Sequence, residues 1–121
     1  MNNTLTLLKR GFESSIETTP KFKRFTRTFK SEFNKLLKKI GCTDLECHNG
    51  HFYIYGFFNA ANGQLWYFSL SDVRDIFHGG SLLIRTAEHR KDYYGGTNRY
   101  ADMRSLEEEL SRILRNYKYI K

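Results

Sequence analysis

Residues 51–70 read HFYIYGFFNAANGQLWYFSL. The stretch is dense in aromatic and other strand-favouring residues and is broken once, at Asn62-Gly63, a dipeptide that accepts the positive φ of a tight turn. Both halves alternate. In the first, Phe52, Ile54, Gly56 and Phe58 point one way and His51, Tyr53, Tyr55 and Phe57 the other. In the second, running over residues 64–70, Trp66, Phe68 and Leu70 oppose Leu65, Tyr67 and Ser69. A period of two on either side of a glycine turn specifies antiparallel strands, and this decides the fold class.

Working outward, residues 43–48 alternate with Leu45 and Cys47 on one face, and Asn49-Gly50 predicts a hairpin turn into the strand that starts at His51. On the other side, Ser71-Asp72 ends the third strand and residues 73–77 suit one helical turn. His78-Gly79-Gly80 is a loop, and residues 81–86 form a fourth strand with Leu82 and Ile84 opposed to Leu83 and Arg85. Residues 87–101 are polar and turn-rich, and a connection of that length in a compact domain often carries function.

Helical patterns flank the sheet. Over residues 20–40, Phe22, Phe25, Phe29, Phe33, Leu36, Leu37 and Ile40 recur at helical period. Thr19 suits the cap, Pro20 the first position and Gly41 the left-handed stop. Over residues 103–118, Met103, Leu106, Leu110, Ile113, Leu114 and Tyr117 make a second stripe, with Asp102 or Ser105 as cap and Ser105 with Glu108 as a capping box. Leu5, Leu8, Phe12 and Ile16 predict a short helix over 4–17, weakened by Gly11, or an arm in its place. The sequence therefore predicts an arm or short helix over 1–19 and one α+β domain over 20–121. That domain is a four-stranded antiparallel meander with N- and C-terminal amphipathic helices packed on one face.

The chain has 121 residues, too few for two domains of ordinary size. With 40% hydrophobic and 16% aromatic residues and a single proline, it has the material for a ring-based core, which excludes disordered and collagen-like classes. No run approaches the ~20 apolar residues of a spanning helix. Lys9 and Arg10 follow Leu7-Leu8 with no apolar run after them, so the pattern predicts no secretory leader, no membrane partner, a cytoplasmic location and reduced cysteines.

The net charge of +7 is concentrated. Residues 21–40 hold Lys21, Lys23, Arg24, Arg27, Lys30, Lys35, Lys38 and Lys39 against Glu32 alone, so this one helix supplies the whole excess. Opposite the Phe stripe such a cluster is the footprint of a polyanion-binding face, although lysine-rich faces also serve solubility. The loop adds Arg85, Arg90, Lys91 and Arg99 with Tyr93, Tyr94 and Tyr100, types that pair with phosphate or carboxylate and stack on bases or anchor a protein interface. Lys23, Arg24, Arg27, Lys30, Lys35, Lys38, Arg85, Arg90, Lys91, Tyr93, Tyr94 and Arg99 are the candidate partner-binding residues.

Catalytic and metal readings are weaker. Cys42, Cys47, His48 and His51 lack the spacing of a zinc site, since Cys47 and His48 point to opposite faces of a strand. Asp72, Asp75, Glu88 and Asp92 with Lys91 define a metal-dependent nuclease as the alternative, but nothing in their spacing forces them to converge. His89, Lys91, Tyr93 and Tyr94 have the chemistry for metal-free acid–base work on RNA without a second histidine to pair. Gly79-Gly80 and Gly95-Gly96 lack the context of phosphate loops. No catalytic residue, metal or cofactor is assigned.

The stretches over residues 50–58 (GHFYIYGFF), 63–74 (GQLWYFSLSDVR) and 83–87 (LIRTA) through 91–98 (KDYYGGTN) resemble a group of small accessory proteins of Gram-positive phages and mobile elements, over about residues 40–100. The resemblance implies a setting and transfers no functional residue: such proteins often inhibit host defence, anti-CRISPR proteins among them. The helix–strands–helix order is also similar to double-stranded RNA-binding domains. Their last helix opens with a lysine cluster, and here Glu107-Glu108-Glu109 stand in that place. The expectation is a non-enzymatic phage or mobile-element binding protein. It uses the basic helix together with the Arg/Tyr loop on nucleic acid or on a host ribonucleoprotein or effector protein, with homodimerisation through exposed sheet tyrosines as a further alternative.

Overall fold

The structure, a computed structural model, describes residues 19–50, 53–70, 81–93, 97–102 and 105–120. These form α1 (Thr19–Lys39), β1 (Thr43–Asn49), β2 (Ile54–Asn59), β3 (Leu65–Leu70), β4 (Ser81–Thr86), β5 (Arg99–Asp102) and α2 (Leu106–Ile120). The five strands make one antiparallel sheet in the order β1-β2-β3-β4-β5. The helix anticipated over 4–17 and the helical turn over 73–77 lie outside the described residues. No helix among the described residues is long and apolar enough to cross a membrane.

Both helices cover the same face. Phe25, Phe29, Phe33, Leu36 and Leu37 of α1 and Leu106, Leu110 and Ile113 of α2 form one buried cluster with Ile54, Phe58, Trp66, Phe68, Leu70, Leu82, Ile84 and Ala101 of the sheet. Phe33 is its hub. Its ring lies 5.0 Å from Phe29, 5.0 Å from Phe68 and 6.1 Å from Phe58, the last two edge-on, an arrangement that ring quadrupoles favour.

The end of α1 is fixed by its own backbone. Gly41 takes φ 89°, its N–H donates to the Lys38 carbonyl at 3.1 Å, and the Cys42 N–H donates to the Leu37 carbonyl at 2.8 Å. This is the Schellman pairing, which satisfies carbonyls that the last turn leaves open. The buried Cys42 packs into the core beside Leu36 and Leu37, and the chain enters β1 with its direction set.

One expectation is corrected. The sheet has five strands and not four: Arg99–Asp102, read from sequence as the end of the loop and, at Asp102, as a helix cap, pairs with β4 through Leu82↔Ala101 and Leu83↔Tyr100. Only Ala101 of that strand is fully buried, so its hydrophobic pattern is one residue long, while the ladder it offers satisfies the outer edge of β4. In the first hairpin Asn49 pairs with Ile54 and the Gly50 N–H donates to the Tyr53 carbonyl at 2.9 Å, so β1 continues through Asn49, one residue beyond the predicted strand end at His48. This register leaves Ile54 and Phe58 facing the helices. It also sets Gly56 opposite Cys47, where the two strands run too close for a side chain. Nearby, the β1–β2 register shifts between Thr43 and Glu46, with Asp44 at φ 57°.

Candidate functional site

The basic helix is oriented as its pattern requires, phenylalanines inward and cations outward. Lys23, Arg24, Arg27, Lys30, Lys35 and Lys38 are all exposed. At 100° per residue Lys23, Arg27, Lys30 and Lys38 fall within a sector of about 80°, and the row they make is about 22 Å long. Lys35 lies 3.6 Å from Glu32 and Lys39 lies 3.1 Å from Glu107 of α2. Lys23, Arg24, Arg27, Lys30 and Lys38 have no ion pair or side-chain hydrogen bond among the described residues. Among the described residues, carboxylates meet the cations of α1 at Lys35 and Lys39.

The loop residues are elsewhere. On the face of the sheet away from the helices, cross-strand pairing sets out two rows: His48, Tyr55, Ser69, Leu83 and Tyr100, and beside it Glu46, Phe57, Tyr67 and Arg85. Tyr93 folds onto this face, with its ring 5.7 Å from Phe57, 5.9 Å from Tyr67 and 6.2 Å from Tyr55. Phe57 is thereby fully buried outside the main core. Arg85 lies 4.5 Å above the Tyr67 ring, and its Nη1 donates to Asn98 Oδ1 at 3.2 Å.

Arg90 holds the loop down. Its Nη2 donates to Asn59 Oδ1 at 2.6 Å and to the Asp44 carbonyl at 2.9 Å, and its Nη1 meets Glu46 Oε1 at 3.2 Å. Lys91 is exposed on the same loop. Arg99 faces the helix side, its guanidinium 5.8 Å from the Trp66 ring. Tyr94 lies outside the described residues. The cations of α1 and the loop's Arg85 and Arg90 thus stand on opposite sides of a helix-and-sheet sandwich, while Arg99 lies on the helix side, and Arg90 and Tyr93 are engaged in holding the loop to the sheet. Sequence reasoning missed Glu46, Asn59 and Asn98 as partners of those arginines. The available signal was their alternation, since Glu46 shares the face of His48 on β1.

The carboxylate and thiol candidates are likewise placed. Asp92 Oδ2 accepts from the Glu88 N–H at 3.0 Å and closes a turn; Asp72 and Asp75 lie outside the described residues. Cys42 and Cys47 pack on the core side, where burial pushes both thiols up to about 11, and His48 is on the other face. Among the described residues no group of three His, Cys, Asp or Glu side chains is placed to hold a metal ion.

Glu46 links the edge strand to the loop. Its Oε2 lies 2.6 Å from His48 Nε2 while Oε1 takes Arg90. The hydrogen bond from His48 holds its carboxyl below the ordinary 4.5, Arg90 adds to this, and burial opposes both. A carboxyl depressed in the folded state stabilises above its unfolded pKa and loses that share as pH falls through the folded value. Urea midpoints measured from pH 7 downward should therefore show the wild type ahead of Glu46→Gln at neutral pH, with the gap closing below 4.5. Parallel profiles would show that the carboxylate contributes nothing.

Compared with models of known protein families, with curated proteins and with solved structures, the chain gives no significant match.

Proposed function

We propose that this protein is a non-enzymatic binding protein whose target is a nucleic acid, gripped through its phosphates by the outward cations of α1. One observation carries the reading: Lys23, Arg24, Arg27, Lys30 and Lys38 are exposed along one side of a well-anchored helix, and none has an ion-pair partner among the described residues. A fixed row of uncompensated cations favours a partner with a regular row of negative charge. The resemblance to phage and mobile-element accessory proteins adds a setting for this reading. There the nucleic acid is DNA or guide RNA of a host ribonucleoprotein in the cytoplasm, and its capture inhibits a defence.

Five phosphate contacts give a salt slope of about 4.5 in logarithms, a loss of roughly 500-fold in affinity between about 50 and 200 mM salt. Fluorescence anisotropy with labelled DNA and RNA oligonucleotides reads this directly. The double charge reversal Arg27→Glu with Lys30→Glu should abolish the low-salt signal. Because both side chains are exposed, it should leave the melting curve nearly unchanged. Absence of binding to every oligonucleotide at low salt, or binding that the reversal does not weaken, overturns the proposal.

A further inference from the structure

The cations of α1 are set apart from the exposed rings of the described residues. Every described ring of α1 points inward, with Phe25 7% exposed and Phe29 and Phe33 fully buried. The exposed large rings among the described residues are Tyr53, Tyr93 and Tyr100, and their register or ring contacts place all three on the sheet face turned away from the helices. Single-stranded nucleic acid is ordinarily held by a cationic groove with rings beside it, because stacking on unpaired bases supplies much of the affinity. The α1 ridge is convex and carries no exposed ring among the described residues, so it meets phosphates without touching base faces.

Resting on the nucleic-acid reading above, we infer that the occupant of the ridge is duplex DNA, bound by its backbone without regard to sequence. A helix about 10–12 Å across matches the major groove of B-form DNA, about 12 Å wide, whereas the major groove of an RNA duplex is too narrow and deep to admit one. The row of about 22 Å runs for some two-thirds of a B-form turn. Charge sets the direction of approach. Glu107, Glu108 and Glu109 open α2, and Glu107 engages Lys39 at the C-terminal end of α1. A phosphate there meets carboxylates, so the duplex lies toward Lys23, Arg24, Arg27 and Lys30.

The test uses one labelled sequence as duplex DNA, as duplex RNA and as single-stranded DNA, with the full chain. The salt slope per contact is about 0.9 for a DNA duplex and 0.7 for a single strand, so with equal affinities at about 1 M salt these four contacts predict about sixfold tighter binding to the duplex near 0.1 M. Scrambling the sequence should change nothing, and Lys23→Gln should lower the salt slope by about one. Tyr53→Ala with Tyr100→Ala should leave duplex affinity unchanged. Equal or tighter binding to the single strand, loss of affinity in the tyrosine variant, or equal binding to duplex RNA overturns the duplex-DNA assignment while leaving a nucleic-acid binder. Failure to bind all three overturns the reading on which it rests.

Discussion

Gly56→Ala is expected to destabilise the protein by about 3 kcal/mol or more, a large part of the 5–15 kcal/mol that holds a typical domain together. A Cβ built at Gly56 falls inside the van der Waals shell of the Glu46 carbonyl oxygen, with the Glu46 carbonyl carbon 2.9 Å away and Cys47 Cα at 3.1 Å. All three obstacles are backbone, so no rotamer change relieves them; β1 must move off β2. That motion would pull Leu45 and Cys47 from their packing against the core and Glu46 from Arg90. Gly63→Ala is the natural control. Gly63 takes φ 88° with nothing within 4 Å of an added Cβ, so it should lose only about 1–2 kcal/mol from the left-handed backbone. Urea unfolding of the two variants distinguishes the cases. Equal losses would mean that the strands separate freely at Gly56.

Phe33→Ala should cost about 3–5 kcal/mol and lower the melting temperature on the order of 10 °C or more. The side chain is fully buried and joins α1 to both β2 and β3 through Phe58 and Phe68. Its removal subtracts apolar burial and leaves a cavity that rings fixed on three elements cannot collapse to fill. Phe33→Leu retains most of the volume and should recover more than half of the loss. A calorimetric melt unmoved by Phe33→Ala would show that α1 is not anchored where the ridge requires.

What the sequence disclosed follows from the strength of each pattern. The division of residues between two sheet faces was legible because Tyr55 and Phe57 alternate with Ile54 and Phe58, although which face the helices cover was not, and both helices were legible from stripes of five or more apolar residues. The fifth strand was not, since Arg99, Tyr100 and Asp102 frame a single inward Ala101 and four residues carry almost no periodicity. The pairing of Asn49 with Ile54 was not legible, because Asn49-Gly50 is a strong local turn signal and the register is a property of the folded sheet. At the candidate site the cationic side of α1 was readable as one sector of a helical wheel. The role of Arg90 was not, because its partners Glu46 and Asn59 are 44 and 31 residues away and only the folded sheet brings them within reach. For the same reason the sequence left open where the loop sits relative to the basic helix. Nothing local states on which side of a sheet a long connection will settle.

The two rims of the sheet are also unlike ordinary strand borders. At one, β1 is kinked by the register shift between Thr43 and Glu46 and by the left-handed Asp44; at the other, β5 offers only four residues. Neither presents a long, straight run of unsatisfied donors and acceptors that an extended peptide from elsewhere could copy. The protein is thereby guarded against fibril-like stacking of its ring-rich strands, and a crowded solution should keep it dispersed where an unguarded meander of this composition would polymerise.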